Sequence, residues 1–307
     1  MVESWRNHAR VFWVLSLPPT VWLVVFFLVP LALVWLLSFG EKRGIVEIAL
    51  TGTLSNYTRA LEPLYLWIFA KSFGVAALTT LICLLVAFPL AMLIAFAPQR
   101  WKSWLLLLVV LPFWTNLLIR TYALIAVLRT TGYLNATLEY LWTGIRGFLS
   151  LIGLDGTRWL GAHFQPLDLL YSNFAVVFGL VYVHLPFMVL PLYATLDRLE
   201  KEYLEASLDL VASQWHTFWY VVVPLALPGV LSGVLITFIP ALGSFLTPAL
   251  LGGPDSQLIG TVIERQFKSA NDWPFGAALS FLLMYLTFFT LALRALLRQP
   301  GSASEAR

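Results

Sequence analysis

Charge is scarce in this sequence. Only 35 of its 307 residues are Asp, Glu, Lys or Arg, 11% of the chain, against roughly 25% in a soluble domain. That is too little to cover the surface of a water-soluble fold of this length. Cysteine is scarcer still. Cys83 stands alone inside an apolar run, so an intramolecular disulfide cannot form and a thiolate metal cluster lacks ligands. It reads as a small buried hydrophobe. The four histidines, His8, His163, His184 and His216, lie far apart with no HExxH-type spacing, which leaves metal catalysis unsupported. There is no Lys/Arg-rich run, so the net charge of +3 and pI of about 9.0 do not point to nucleic acid. No GxxxxGK[ST] stretch is present to cradle a nucleotide phosphate.

Apolar length is abundant. Hydrophobic residues make up 60% of the chain and the mean hydropathy is +0.82, which excludes disorder. A helix that crosses a bilayer needs about 20 mainly apolar residues. Six stretches qualify, at about 18–39, 72–97, 104–128, 174–195, 228–250 and 275–297. The expected fold is an all-α integral membrane protein with six transmembrane helices in a single domain. Pro30, Pro89, Pro112, Pro186 and Pro240 fall inside these spans, where neighbouring helices re-satisfy the backbone groups that proline frees. Arg6 and Arg10 precede the first run. That run is longer than a signal-peptide core and has no small-x-small cleavage site, so it reads as a retained helix.

Orientation is not fixed by charge. With the N-terminus inside, each side of the membrane carries nine Lys or Arg residues, and Arg120 falls within the third span. Arg6, Arg10, Arg100 and Lys102 favour N-in, whereas Lys42 and Arg43 oppose it. The connection from about 129 to 173 is rich in Gly, Trp and Phe (Trp142, Phe148, Gly153, Gly156, Trp159, Gly161, Phe164). It is too apolar for a linker and is expected to hold short helices at the membrane surface. No internal repeat is visible, which counts against an inverted-repeat secondary carrier.

The most informative stretch lies between the fourth and fifth spans, 196–230. Leu204, Leu208, Val211, Ala212 and Trp215 recur at helical spacing, with Glu200, Lys201, Glu205, Asp209 and Ser213 largely on the other faces. Seven charged residues crowd into positions 197–209. The predicted element is an amphipathic helix outside the bilayer. It is net acidic, so an anionic membrane surface repels it. It suits either a groove on a protein partner or simple packing on its own bundle.

Within it, EASLDLVASQWHTFWYVVVPLALPG resembles the EAA loop of ABC transporter permeases of the binding-protein-dependent importer class. That pattern is E-A-A-x-x-x-G, nine residues, then I-x-L-P. Glu205 and Ala206 match its first two positions, and Ser207 replaces the second Ala. Val221 takes the Ile-like position, Val223 and Pro224 close the tail, and Pro224 to Gly229 continue the likeness. Val211 stands where the family has Gly. Glycine is the residue for positive φ, which valine tolerates poorly. If this position is helical, Val costs little beyond its β-branch. If it keeps the permissive geometry, docking is weakened. The stretches 112–124 (PFWTNLLIRTYAL), 240–253 (PALGSFLTPALLGG) and 271–280 (NDWPFGAALS) resemble the spermidine/putrescine permease subgroup.

The resemblance implies a type I importer permease with both termini cytoplasmic and a coupling loop over 197–224. It implies a transport subunit without its own ATPase site, binding no cofactor, with ATP and Mg2+ held by a cytoplasmic ABC ATPase dimer. A second permease subunit and an external solute-binding protein complete the assembly. Glu205, Ala206, Ser207, Asp209, Val211, Pro224 and Gly229 then form the ATPase-docking loop. Trp114, Thr115, Asn116, Arg120 and Tyr122 are candidates for the translocation path: aromatic faces suit a polycation, whereas Arg120 is a poor ligand for one and instead pairs with an acidic residue or repels one end of the substrate. Arg120 is alternatively a helix-end anchor in the headgroups. Asp255, Glu264, Asp272 and Trp273 are candidates for the outer, binding-protein face. Importers of another solute (an opine, an amino-acid derivative or a metal complex) and ion-coupled carriers are the competing readings.

Overall fold

Apolar length decides where this chain is helical; Pro30, Pro112 and Pro224 sit at irregular turns, whereas Pro89, Pro186, Pro191, Pro228 and Pro240 lie inside continuous helices. The computed structural model describes residues 9–44, 47–151 and 163–297. In chain order the helices are α1 (Ala9–Leu23), α2 (Val29–Leu37), α3 (Ser55–Ala60), α4 (Pro63–Ala95), α5 (Gln99–Val110), α6 (Leu117–Leu128), α7 (Tyr133–Leu151), α8 (Asn173–Leu196), α9 (Lys201–Asp209), α10 (Gln214–Thr217), α11 (Val223–Leu242), α12 (Leu246–Leu251), α13 (Ile259–Lys268) and α14 (Trp273–Leu297). The one departure from an all-helical chain among the described residues is a small ribbon. Its strands β1 (Glu41–Lys42) and β2 (Ile48–Ala49) pair antiparallel, Glu41 opposite Ala49.

Five stretches are long and apolar enough to cross a membrane: Trp13–Leu37, Pro63–Ala95, Leu117–Leu151 (α6 and α7 with a turn between), Asn173–Leu196 and Gln214–Leu242. Trp273–Phe289 is a shorter apolar helix. Several boundaries differ from those read from hydropathy. The second helix starts at Pro63, not near 72, because Lys71 and the aromatic residues before it lower the local hydropathy without breaking the helix. The third is broken at Pro112 into α5, a 3-10 turn over Leu111–Trp114, and α6. The fifth starts at Gln214, not near 228, and ends at Leu242, after which α12 is a separate short helix. Among its described residues the connection after the third span holds a 19-residue helix, α7. Gly153, Gly156, Trp159 and Gly161 lie outside the described residues.

Two prolines produce π turns. Val24–Leu28 and Phe218–Val222 are π-helical, and each contains the residue four before a proline (Phe26 before Pro30, Tyr220 before Pro224). A proline has no N–H for that carbonyl and its ring collides with it. Widening the turn by one residue accommodates both.

The chain packs as two units, one from 1–66 with 262–307 and one from 67–261. In the first, Trp35 Nε1 donates to Tyr285 OH (2.8 Å). Asn56 Nδ2 donates to the Ser38 and Gly40 carbonyls (3.0 and 2.8 Å). Lys42 Nζ donates to the Ala270 carbonyl (2.7 Å).

In the second unit the core joins α4, α8 and the end of the π turn with α11. Cys83, Ala87, Ala91 and Ile94 meet Met188, Val189, Leu192 and Leu196, with Val222 and Ala226. Lipid tails are as apolar as leucine, so helix pairing here depends on close packing. Gly229 and Gly233 permit it. A Cβ at Gly229 would lie 2.5 Å from Thr195 Oγ1 and 2.8 Å from the Pro191 carbonyl, and one at Gly233 2.6 Å from Met188 Sδ.

Candidate docking segment and membrane-embedded residues

The charged segment after α8 is built from a short helix and a specific stop signal. Glu200 precedes α9 in an extended conformation. Glu202 in the first turn suits the positive end of the helix dipole. At the other end the Val211 N–H donates to the Leu208 carbonyl (2.9 Å) and the Ala212 N–H to the Ser207 carbonyl (3.3 Å). This pair of bonds is a Schellman cap, which requires a left-handed residue at its centre. That residue is Val211, with φ +60°. The position therefore keeps the geometry that glycine provides, and a β-branched residue occupies it. A left-handed conformation costs an ordinary L-residue about 1–2 kcal/mol.

The chain restarts at once. Ser213 Oγ accepts from the His216 N–H (3.3 Å) and caps α10, which runs through the π turn into α11. Ser207 and Thr217 hydroxyls lie 2.9 Å apart across the turn. Leu204 packs against the core of the second unit. The expected apolar face does not survive the turn, because the left-handed residue breaks the helical period. Of Leu204, Leu208, Val211, Ala212 and Trp215, only Leu204 joins that core. Leu208 is exposed, and so are Val211 (92%) and Trp215 (68%). Leu210 joins them at 84%. Glu205, Ala206 and Asp209 are exposed beside these apolar side chains, while Ser207 is half-buried. Residues 214–224, expected within the loop, belong to the fifth helix. Pro224 is exposed at the start of α11 and Gly229 is buried against α8.

An ion pair and a cavity at this end were not visible in the sequence. Lys102 Nζ and Asp197 Oδ1 form an ion pair of 2.6 Å, joining α5 to the residue after α8. A cavity of about 280 Å3 is lined by Thr195, Arg198, Leu199, Glu200, Tyr203 and Leu225. The Ser213 cap did carry a signal, a serine just before a helical run.

The candidates in the third span gather at its break. Thr115 Oγ1 donates to the Pro112 carbonyl (2.8 Å) and Asn116 Oδ1 accepts from the Leu118 N–H (2.8 Å), which caps α6. Trp114 and Tyr122 are exposed on the surface of the chain. Arg120 sits one turn into α6, its Cζ 5.7 Å from the Phe113 ring centroid.

The outer-face candidates are less free than expected. Asp272 pairs with Arg59 (2.9 Å) and accepts from the Phe275 N–H (3.3 Å) at the start of α14. Glu264 pairs with Lys268 (3.0 Å). Trp273 Nε1 donates to Asn271 Oδ1 (2.9 Å). Asp255 is exposed, and its backbone carbonyl accepts from Lys71 Nζ. Among the described residues no group of three His, Cys, Asp or Glu could hold a metal ion.

Residues 87–299 match the family model described as binding-protein-dependent transport system inner membrane component. The chain belongs to that family. It is 40% identical over 262 residues to the spermidine/putrescine transport system permease protein PotB of Escherichia coli (strain K12), covering 85% of this chain and 88% of the relative. It is 37% identical over 271 residues to PotB of Haemophilus influenzae, covering 87% and 88%. The fold matches a chain in the crystal structure of a bacterial alginate ABC transporter in complex with alginate pentasaccharide-bound periplasmic protein. There the TM-score is 0.72 at 14% identity, over 96% of this chain and 97% of the other. As a member of this family the chain is the permease component of an ABC importer.

Proposed function

We propose that this permease serves an ATP-driven importer of polyamines, spermidine and putrescine, in a bacterial inner membrane. The observation that carries the reading is identity of 40% to PotB spread over 85% of the chain. The partners are a cytoplasmic ABC ATPase dimer holding ATP and Mg2+, a second permease subunit, and an external solute-binding protein. Both termini are cytoplasmic, which puts α9 on the side of the ATPase.

The geometry supports a mechanical role for the docking segment. The exposed patch of Glu205, Ala206, Asp209, Leu210 and Val211 meets the ATPase. Force enters at α9, crosses the Ser207–Thr217 link and reaches a helix that runs unbroken from Gln214 to Leu242. α11 is in turn locked to α8 at Gly229 and Gly233. A displacement of α9 therefore moves the fifth helix and α8 together, a rigid-body shift of packed helices. No residue of the chain does covalent chemistry.

The test is uptake of radiolabelled spermidine and putrescine in the parent organism with this gene deleted and then restored. Loss on deletion and recovery on restoration support the assignment. Undiminished uptake of both compounds in the deletion strain, with the ATPase still expressed, refutes it.

A further inference from the structure

Within the second unit, α4 and α8 leave an apolar groove between them that the mechanism above does not use. Its volume is about 420 Å3, and its walls are Leu78 and Ile82 of α4 with Phe174, Val177, Phe178 and Val181 of α8. Asn173 stands at one end and is the only polar residue of the lining. Leu78, Phe174 and Phe178 are exposed, so the groove is open on the lipid-facing side of this unit. The two helices run parallel here. Val75 packs with Val176, and Cys83 Sγ lies 3.7 Å from the Val181 carbonyl.

A cation stands above the Asn173 end. Lys71 lies two helical turns before Leu78 on the same side of α4. Its Nζ donates to the Asp255 carbonyl, and among the described residues it forms no ion pair with a carboxylate. The turn that carries Asp255 sits on the start of α8. A Cβ at Gly253 would collide with the Tyr171 carbonyl, and one at Gly252 would lie 3.0 Å from Val176 Cγ2. Ser72 Oγ accepts from the Ile259 N–H (2.7 Å) and ties α4 to the segment after that turn. Between Lys71 and Leu78 the helix surface is bare. Gly74 occupies that interval, and a Cβ there would meet nothing within 4 Å.

Cation, bare helix and apolar groove follow one another in a line, which is the pattern of an anionic amphiphile. The groove runs about 12 Å along α8 from Asn173 to Val181, most of one leaflet's share of the roughly 30 Å hydrocarbon core. Lys71 is then at headgroup depth, where a long side chain keeps its charge at the membrane surface. A polyamine has no tail for the groove and is repelled by Lys71. A helix of a partner subunit packs closely where small residues line the contact. This groove is walled instead by large side chains, with the Phe174 and Phe178 rings stacked at 6.0 Å. A flexible hydrocarbon tail follows such a surface without close backbone approach.

We infer that the groove between α4 and α8 is a phospholipid site, holding one acyl chain with the phosphate paired to Lys71. The lipid joins α4, the start of α8 and the turn over Pro254–Ser256, three pieces of the second unit that meet at this end. With the orientation proposed above, it belongs to the outer leaflet. The site does not depend on which solute the importer carries.

The experiment uses the whole transporter, purified in detergent, delipidated and titrated with dioleoyl phosphatidylglycerol, with binding to this chain read by native mass spectrometry. The wild type is expected to hold one phospholipid more tightly than the rest. Lys71→Gln keeps a donor for the Asp255 carbonyl but removes the charge, and should weaken that binding about tenfold. Gly74→Leu enters open space, so it obstructs the lipid and not the protein. It should weaken binding as much, with the melting temperature of the lipid-free protein unchanged or higher. Dioleoylglycerol, which has the tails without the phosphate, should bind the wild type and Lys71→Gln alike. Equal affinity for phosphatidylglycerol in the wild type and both variants overturns the proposal, and so does a wild type with no preferred lipid. Benzoylphenylalanine in place of Phe178 identifies the occupant in the native membrane, even if Gly74→Leu does not accumulate. A cross-linked phospholipid supports the site, whereas a cross-link to a protein subunit shows that a helix covers the groove and overturns it. The polyamine reading is scored separately, by uptake in the deletion strain, and stands or falls on that measurement alone.

Discussion

Ser207 and Thr217 hold their hydroxyl oxygens 2.9 Å apart across a turn whose central residue, Val211, is left-handed at φ +60°. The hydrogen bond ties the charged helix to the start of the fifth span, and the strained valine lies at the tip between them.

Replacing Val211 by Gly removes the collision of a β-branched side chain with its own backbone, worth about 1–2 kcal/mol. Glycine's greater freedom in the unfolded chain takes back roughly 0.5–1 kcal/mol. The net expectation is a small stabilisation of the turn. Hydrogen exchange at the Val211 and Ala212 amides, which close the cap, should slow several-fold. Faster exchange in the Gly variant would contradict the left-handed assignment.

The Ser207–Thr217 contact is a neutral hydrogen bond, so its net worth is about 1 kcal/mol. A double-mutant cycle with Ser207→Ala and Thr217→Val, read by thermal unfolding in detergent, should show coupling of that size. A coupling near zero means the two hydroxyls act independently, and the link transmits nothing.

Gly229 and Gly233 should differ in tolerance. A Cβ at Gly229 meets the Pro191 carbonyl and Thr195, which α8 holds in place, whereas the nearest atom to one at Gly233 is a flexible Met188 sulfur. Overpacking typically costs about 1–3 kcal/mol. Gly229→Ala is expected to lower the melting temperature more than Gly233→Ala. The reverse order would mean that α8 yields more readily at Pro191 than at Met188.

The sequence made the membrane class legible because scarcity of charge leaves few alternatives, and the EAA-like motif located the docking segment. It was less informative at boundaries. Gln214, His216 and Tyr220 lower hydropathy at the start of the fifth helix, although helical hydrogen bonding continues through them. Pro112 was visible as a residue, but the 3-10 turn it produces depends on Thr115 and Asn116 satisfying the freed backbone groups. Val211 was visible as a departure from the motif, yet residue identity alone could not say which geometry it adopts. The amphipathic period assigned to Leu208 and Trp215 failed for the same reason, since a single left-handed residue between them resets the helical phase. The Lys102–Asp197 pair joins positions 95 residues apart, beyond the reach of any local pattern.

Glu205 gives the most direct test of the docking role, because it is exposed and its loss should leave the fold within about 0.5 kcal/mol of the parent. The measurement is the amount of ATPase that co-purifies with Glu205→Ala, taken together with ATP-driven spermidine uptake and the melting temperature of the permease. The coupling role predicts an unchanged melting temperature with reduced ATPase recovery or lost uptake. Full recovery of the ATPase together with normal uptake would contradict it.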